Sequence, residues 1–227
     1  HTPIRRQRQM CIRDSLALEQ HDVDALYKEA LDTLAVIRAI RTVESKLPHY
    51  DQKELQRELD VCPEWFFSQA LGLPLNSKAL SIFAELSACV IDAACHQPQG
   101  LVHRDYHSRN LMVPAGDAPL AVIDFQDAIM GPVAYDAVSL LKDVYVVWPR
   151  PKQLVWLEYY WEHLVREGQL GEGSWPEFIV WFDLIGLQRH VKILGVFSRL
   201  WLRDDKPSYM RDILSLIHIS EPTRLAE

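Results

Sequence analysis

Glycine is scarce in this chain, with nine residues in 227. None stands early enough to form a glycine-rich hairpin of the kind that covers nucleotide phosphates. The segment GQLGEG, residues 168–173, follows a helical stretch rather than a strand, so it reads as a linker and not a phosphate loop. Cysteine is equally sparse. Cys11, Cys62, Cys89 and Cys95 have neither metal-ligand nor redox spacing, which argues against a cysteine metal site and fits four reduced thiols in a cytosolic protein. Positive charge is in deficit, with a net charge of −7. That balance excludes a general grip on nucleic acid, which needs a basic face, and leaves a small molecule as the expected partner. No apolar run approaches the roughly 20 residues needed to cross a bilayer, and no secretory signal is visible. The expectation is a cytoplasmic protein with no membrane association. What remains is ordinary globular material, 48% hydrophobic and 24% charged, with a length that suits about one to one and a half domains.

Most of that material has helical periodicity. Val23, Leu26, Ala30, Leu34, Ile37, Ile40 and Val43 recur at three- and four-residue intervals, the mark of an amphipathic helix. Leu55, Leu59, Cys62, Trp65 and Phe66 continue the period through a second helical region, in which Pro63 interrupts the helix or starts a new one. Asn76 or Ser77 caps a third, whose inner face is expected to carry Leu80, Phe83, Leu86, Val90 and Ala93. Further on, Gly131 and Pro132 read as a turn, followed by a helix over residues 133–144 with Asp136 in its first turn. A carboxylate there suits the helix dipole without further explanation. Another helix covers residues 154–165. A long helical region opens at Ser174 and Pro176, with Leu184, Leu187, Val191 and Leu194 expected on one side.

Between the third and fourth helices lies the most informative stretch, His103 to Asp124, HRDYHSRNLMVPAGDAPLAVID. Its first eight residues fit H-R-D-x-x-x-x-N, the catalytic-loop pattern of phosphoryl transfer, with His103, Asp105 and Asn110 in the pattern positions. Phosphoryl transfer needs alignment and charge stabilisation more than covalent help. One carboxylate beside the acceptor hydroxyl, and an amide plus a second carboxylate on Mg²⁺, would suffice. Residues 101–103, 110–113 and 120–124 read as short β segments, the last two joined by a turn around Pro114, Gly116 and Asp117. That hairpin brings Asn110 and Asp124 to one end, where hard oxygens can share a cation. The plainer reading, that Asp105 and Asn110 only bond their own turn, leaves the meeting of two acids and an amide unexplained.

The loop, with His107 inside it, and the following IDFQDAIMGPVAYD resemble the aminoglycoside phosphotransferase and choline kinase superfamily, whose loop reads H-x-D-x-H-x-x-N. More narrowly, VHRDYHSRNLMV, VIDFQDAIMGPVAYDAVSLLKD, WFDLIGLQRHVKILGVFSRL and RDDKPSYMRD resemble the bacterial anomeric kinases of N-acetylmuramate and N-acetylglucosamine. Gln126 stands where protein kinases carry the glycine of D-F-G, which favours a small-molecule acceptor. The resemblance implies an α+β, mostly helical fold, the C-terminal lobe of a protein-kinase-like fold with a short catalytic β-hairpin. It also implies a preceding nucleotide lobe, expected here to be absent, which would make this chain a truncated and inactive piece.

The roles implied are specific. Asp105 accepts or orients the acceptor proton, His103 braces the loop, and Asn110 and Asp124 hold Mg²⁺ and with it ATP. Asp136 supports the loop. Asp127 supports the loop through backbone hydrogen bonds or instead touches the acceptor sugar, and for His107 a packed or hydrogen-bonded role is favoured over a substrate contact. Arg189 and His190, with Lys192, form a basic cluster that would meet an anionic group or simply be solvated. Trp65, with Glu64, would line a sugar groove. A kinase for an aminoglycoside or a choline-like alcohol is the alternative, and a non-catalytic kinase-like module is another.

The two ends differ in character from the rest. RRQRQMCIRDS and SLIHISEPTRLAE look like translated adapter sequence. Residues 1–15 and 215–227 are therefore expected to be non-native or disordered tails, poorly packed, around a kinase-like segment over 16–214. A chain of this kind, short of half its phosphate contacts, is expected to bind Mg·ATP very weakly by calorimetry. Tight binding would mean that the nucleotide site lies elsewhere.

Overall fold

The structure, a computed structural model, describes residues 10–12, 22–40, 47–113 and 118–220, the side chains of Met10 and of residues 215–220 excepted. The chain divides into two units, residues 1–49 with 98–179 and residues 50–97 with 180–227. No described helix is long and apolar enough to cross a membrane.

In the first unit, helix α1 (Val23–Ala39) starts at Asp22, whose side chain accepts a hydrogen bond from Asp24 N at 2.9 Å. This is ordinary N-capping, worth about 1 kcal/mol. The three- and four-residue spacing buries Leu26, Ala30 and Leu34, with Tyr27, Leu31 and Ala35 beside them. The stripe closes on Arg38 rather than on Ile40, which lies beyond the helix and is 54% exposed; Val43 lies outside the described residues. This face packs on helix α5 (Arg150–Arg166). At their contact the Tyr27 ring stacks on Trp156 at 4.3 Å, and Trp148 stands edge-on to both. Offset and edge-to-face aromatic pairs of this kind add about 1 kcal/mol beyond burial.

Two small sheets lie in the same unit. Strand β1 (Met10–Cys11) pairs with β3 (Leu111–Val113), which pairs in turn with β4 (Ala121–Val122), all antiparallel. Strand β2 (Gln99–Val102) pairs antiparallel with β5 (Ile129–Pro132), placing Gly100 opposite Gly131 and Gln99 opposite Pro132. Gly131 and Pro132 thus end a strand rather than make the expected turn. Pro132 is tolerated because it stands at the strand's last position, where a missing amide costs least. The helix expected over 133–144 is shorter, α4 (Tyr135–Leu141), and every residue in it is buried. The turn around residues 114–117 lies outside the described residues.

In the second unit, α2 (Gln52–Leu59) is capped by Asp51, which accepts from Glu54 N at 2.9 Å. A π-helix over Cys62–Ala70 follows, with Pro63 in its first turn, where a missing amide is harmless. Asn76 caps α3 (Ser77–Cys95) through Ala79 N at 2.9 Å. The buried stripe of α3 is Ser87, Val90, Ile91 and Ala94; of the residues expected inside, Val90 is buried, whereas Leu80 is 47% exposed. The division between the units falls within α6 (Trp175–Leu202), whose described second-unit core residues include Phe182, Ile185 and Phe197. Leu187, expected to face inward, is 39% exposed, and its polar neighbours Gln188 and Arg189 are buried instead. Counting apolar residues alone misplaces such a face.

Both termini depart from expectation where they are described. Met10 and Cys11 complete the edge of β3, and Ile12 is fully buried. At the other end, α7 (Ser208–Ser220) runs through the boundary expected at Leu214. The rest of the supposed tails lies outside the described residues.

Gly195 on α6 meets the start of the π-helix backbone to backbone. A Cβ there would lie 2.6 Å from Cys62 N and 2.7 Å from the carbonyl carbon of Val61. Gly195→Ala is expected to lower stability by about 1–3 kcal/mol through overpacking. Thermal unfolding checks this, and an unchanged midpoint would show that the contact is looser than described.

Candidate active site

The loop from His103 to Asn110 joins β2 to β3. Its entrance is held from behind by Asp136, in the first turn of α4 and 3% exposed. One carboxylate oxygen accepts from His103 N at 2.7 Å and the other from Arg104 N at 3.0 Å. Arg104 has φ of +74°, a left-handed conformation that costs a residue with a Cβ about 1–2 kcal/mol. Hydrogen bonds to a charged acceptor contribute about 1.5–3 kcal/mol each, enough to hold that turn.

Burying the Asp136 carboxylate is offset partly by Arg38. Burial lowers the guanidinium's pKa from its ordinary value, while the negative field of the Asp136 carboxylate opposes that shift. Arg38 donates to Gln169 Oε1 at 3.0 Å and to the Pro98 carbonyl at 2.9 Å. Its Cζ lies 3.0 Å from where a Cβ on Gly100 would sit, so a larger residue at 100 would push on the guanidinium.

His103 is 3% exposed and packs edge-on against Tyr106 with ring centroids 5.8 Å apart. Neither of its ring nitrogens meets a hydrogen-bond partner among the described residues. Tyr106 is fully buried and donates its hydroxyl to the Ala30 carbonyl at 2.6 Å, fastening the loop to α1. Burial, reinforced by the nearby Asp136, keeps that phenol neutral, with its pKa well above the usual value.

Asp105 is half-buried, and its carbonyl accepts from His107 N and from Asn110 Nδ2, both at 3.0 Å. This bond commits the nitrogen of the Asn110 amide to the loop and leaves its oxygen as the group that can face a cation. The Asn110 carbonyl accepts from Ile123 N at 3.0 Å, extending the β3–β4 ladder by one step, so that Asp124 follows directly. Asp124 is exposed, has φ of +71°, and accepts from Gln126 Nε2 at 2.9 Å. Asp tolerates this backbone region better than most residues.

Among the described residues no three His, Cys, Asp or Glu side chains gather into a metal cluster. An amide oxygen and a carboxylate are hard ligands that suit Mg²⁺, which usually takes one or two protein carboxylates and completes its octahedron with waters and substrate phosphates. The donors present fit such an ion.

The remaining candidates fall in different places. Asp127 is exposed on the turn just after Asp124. His107 packs edge-on against Tyr145 at 5.3 Å. In the second unit, Arg189 is 8% exposed, and Lys192 pairs with the buried Glu58 at 2.7 Å. Glu58 also accepts from the Tyr50 hydroxyl, and Gln188 donates to the same two groups. Arg189 and Lys192 are therefore internal rather than a solvated basic face. A surface groove in that unit is lined by Asp51, Gln52, Lys53, Gln56, Arg57 and Asp60, and does not include Trp65, Glu64 or His190.

Sequence reasoning missed Asp143. It is 3% exposed, and its carboxylate accepts from Ser108 N at 3.0 Å and from Tyr145 N at 2.9 Å. A signal was present. An acid just past the C-terminus of an apolar helix opposes the helix dipole and needs another reason to be there.

A model of the phosphotransferase enzyme family matches residues 9–172. The chain is 38% identical over 196 residues to an N-acetylmuramate/N-acetylglucosamine kinase of Pseudomonas aeruginosa, covering 86% of this chain and 57% of that protein. It is 37% identical over 189 residues to the kinase of the same name from Neisseria meningitidis, covering 83% and 56%. The chain thus spans little more than half the length of these relatives. Among solved structures, a Plasmodium vivax ethanolamine kinase superposes with a TM-score of 0.64 at 12% identity, over 93% of this chain and 61% of that one. The GDP complex of an aminoglycoside 2'-phosphotransferase-IIIa gives 0.60 at 16% identity, over 94% and 68%. At those identities the likeness is one of fold.

Removing the Asp136 acceptor leaves two loop amides without their partner. Asp136→Ala is expected to cost about 2–6 kcal/mol, because each of the two amides left without its acceptor costs about 1–3 kcal/mol. Asp136→Asn, which keeps one acceptor oxygen, is expected to cost less. Chemical denaturation of both variants checks the order; equal, small losses would mean that the loop holds its own shape.

Proposed function

The chain belongs to the phosphotransferase enzyme family, and on that premise we propose that it carries the catalytic loop and metal-holding residues of an ATP-dependent sugar kinase. The acceptor is the anomeric hydroxyl of N-acetylmuramate or N-acetylglucosamine, in cell-wall recycling in the cytoplasm. The observation that supports this most directly is the position of Asn110. Its side chain is tied to the carbonyl of Asp105 and its backbone carbonyl to Ile123, the neighbour of Asp124, so both acidic residues are referred to one asparagine.

In this reading Asp105 orients the acceptor hydroxyl and takes its proton as the oxygen bonds to the γ-phosphorus and the bond to the β-phosphate bridging oxygen breaks, releasing ADP. The Asn110 oxygen and the Asp124 carboxylate hold Mg²⁺. When bound with the nucleotide, the ion neutralises charge on the β- and γ-phosphate oxygens. His103 is a packing residue of the loop, not a proton carrier. Asp127, exposed beside Asp124, is the nearest candidate for a sugar contact. The sugar assignment rests on relatives at 37–38% identity named N-acetylmuramate/N-acetylglucosamine kinase, whereas ethanolamine and aminoglycoside kinases are alike only in fold.

In the full-length protein carrying this segment, Asp105→Ala is expected to lower kcat by at least about 10²- to 10⁴-fold while leaving ATP affinity nearly unchanged. A panel of N-acetylmuramate, N-acetylglucosamine, an aminoglycoside and ethanolamine is expected to show phosphorylation of the two amino sugars. Near-normal turnover by the variant would remove Asp105 from the mechanism, and a preference for the cationic acceptors would overturn the sugar assignment.

A further inference from the structure

Helix α4 is flanked by two buried carboxylates that grip the same loop at different points. Asp136 takes the amides of His103 and Arg104 at its entrance, and Asp143 takes the amide of Ser108 near its exit. Between these anchors the loop is held by the Tyr106 hydroxyl on the Ala30 carbonyl and by its own short bonds, from His107 N and Asn110 Nδ2 to the Asp105 carbonyl and from Asn110 N to the His107 carbonyl.

The second oxygen of Asp143 does more than satisfy itself. It holds Tyr145 N at 2.9 Å, fixing a ring that meets the edge of His107 at 5.3 Å and lies under the Arg109 guanidinium at 4.6 Å. One carboxylate therefore docks the segment 107–109 through a backbone bond and two side-chain contacts, immediately before Asn110.

We propose that Asp143 is a positioning residue for phosphoryl transfer: by docking residues 107–109 it sets where Asn110 presents its oxygen to the metal and keeps Asp105 aligned with the acceptor. The inference rests on the kinase reading above. It follows from how steeply such chemistry depends on placement, since a shift of about 1 Å can cost about 10²-fold in rate. Groups that orient a metal ligand from behind commonly change metal affinity about 10- to 100-fold when altered.

The test is Asp143→Asn in the full-length protein, with Asp105→Asn made in parallel. Asn keeps the shape but turns an NH₂ toward one of the two amides. The expected result is a kcat lower by about 10- to 100-fold, a half-saturating Mg²⁺ concentration higher by about 10-fold, and KM for the sugar within about twofold. In this 227-residue chain the same substitution is expected to speed amide exchange at Ser108 and Tyr145 while His103 and Arg104 stay protected. A folded variant that loses thermal stability but keeps kcat and its Mg²⁺ requirement would reduce Asp143 to a structural residue and overturn the proposal. If Asp143→Asn does not fold, Tyr145→Ala, which deletes the ring beneath Arg109, is expected to lower kcat in the same direction, and unchanged kcat there overturns it as well. Full activity of Asp105→Asn would sink the kinase reading itself. An inactive Asp105→Asn beside a fully active Asp143→Asn would sink only the role given to Asp143.

Discussion

The two hydrogen bonds that the Asp136 carboxylate accepts from the successive amides of His103 and Arg104 hold a turn that an isolated chain would leave. Arg104 sits in the left-handed region with a full side chain, and only a partner that rewards that backbone shape can keep it there. The partner must be charged to be strong enough, and buried to be rigid. A buried charge in turn needs compensation, supplied by the two amides and by the field of Arg38. Arg38 also holds the Pro98 carbonyl at the start of β2, so both ends of that strand are referred to one set of charges. Gly100 is what lets the guanidinium lie so close to the strand. In a chain with few glycines, this one is spent on a close approach rather than on a turn.

From that fixed entrance the site is assembled by the backbone. The Asn110 amide is divided between two tasks, its nitrogen closing the loop on Asp105 and its oxygen left for a hard cation. The ladder bond from Ile123 brings Asp124 alongside. Two protein oxygens are too few to hold Mg²⁺ strongly by themselves. On the proposed reading, such a site would suit an ion that arrives with phosphate oxygens attached.

Much of this was readable from the residues. The H-R-D-x-x-x-x-N loop and the strand segments around it are local signals. Local signals survive folding when no distant group competes with them. The cap at Asn76 belongs to the same class. What escaped was decided by partners far away in sequence. Asp143 looks like a helix-end acid until Ser108 is found above it. Gly131–Pro132 looks like a turn until Gln99 and Gly100 pair with it. The inner face of α6 was misassigned because apolar periodicity cannot see a buried polar group, such as Gln188, that has found its partner.

Lys192 shows what that last point means for function. Counted along the sequence, it joins Arg189 and His190 in a basic cluster ready for an anionic substrate. In the fold its ammonium lies 2.7 Å from Glu58, whose side chain is 5% exposed and also takes the Tyr50 hydroxyl. Taking one member from a buried ion pair costs about 3–5 kcal/mol, because the other charge is left stranded. A ligand carboxylate drawing Lys192 away would have to repay that cost before adding any affinity, and an exposed ion pair returns only about 0–1 kcal/mol. Lys192 is therefore committed to Glu58 within the second unit, which weakens the case for it as a contact to an anionic group.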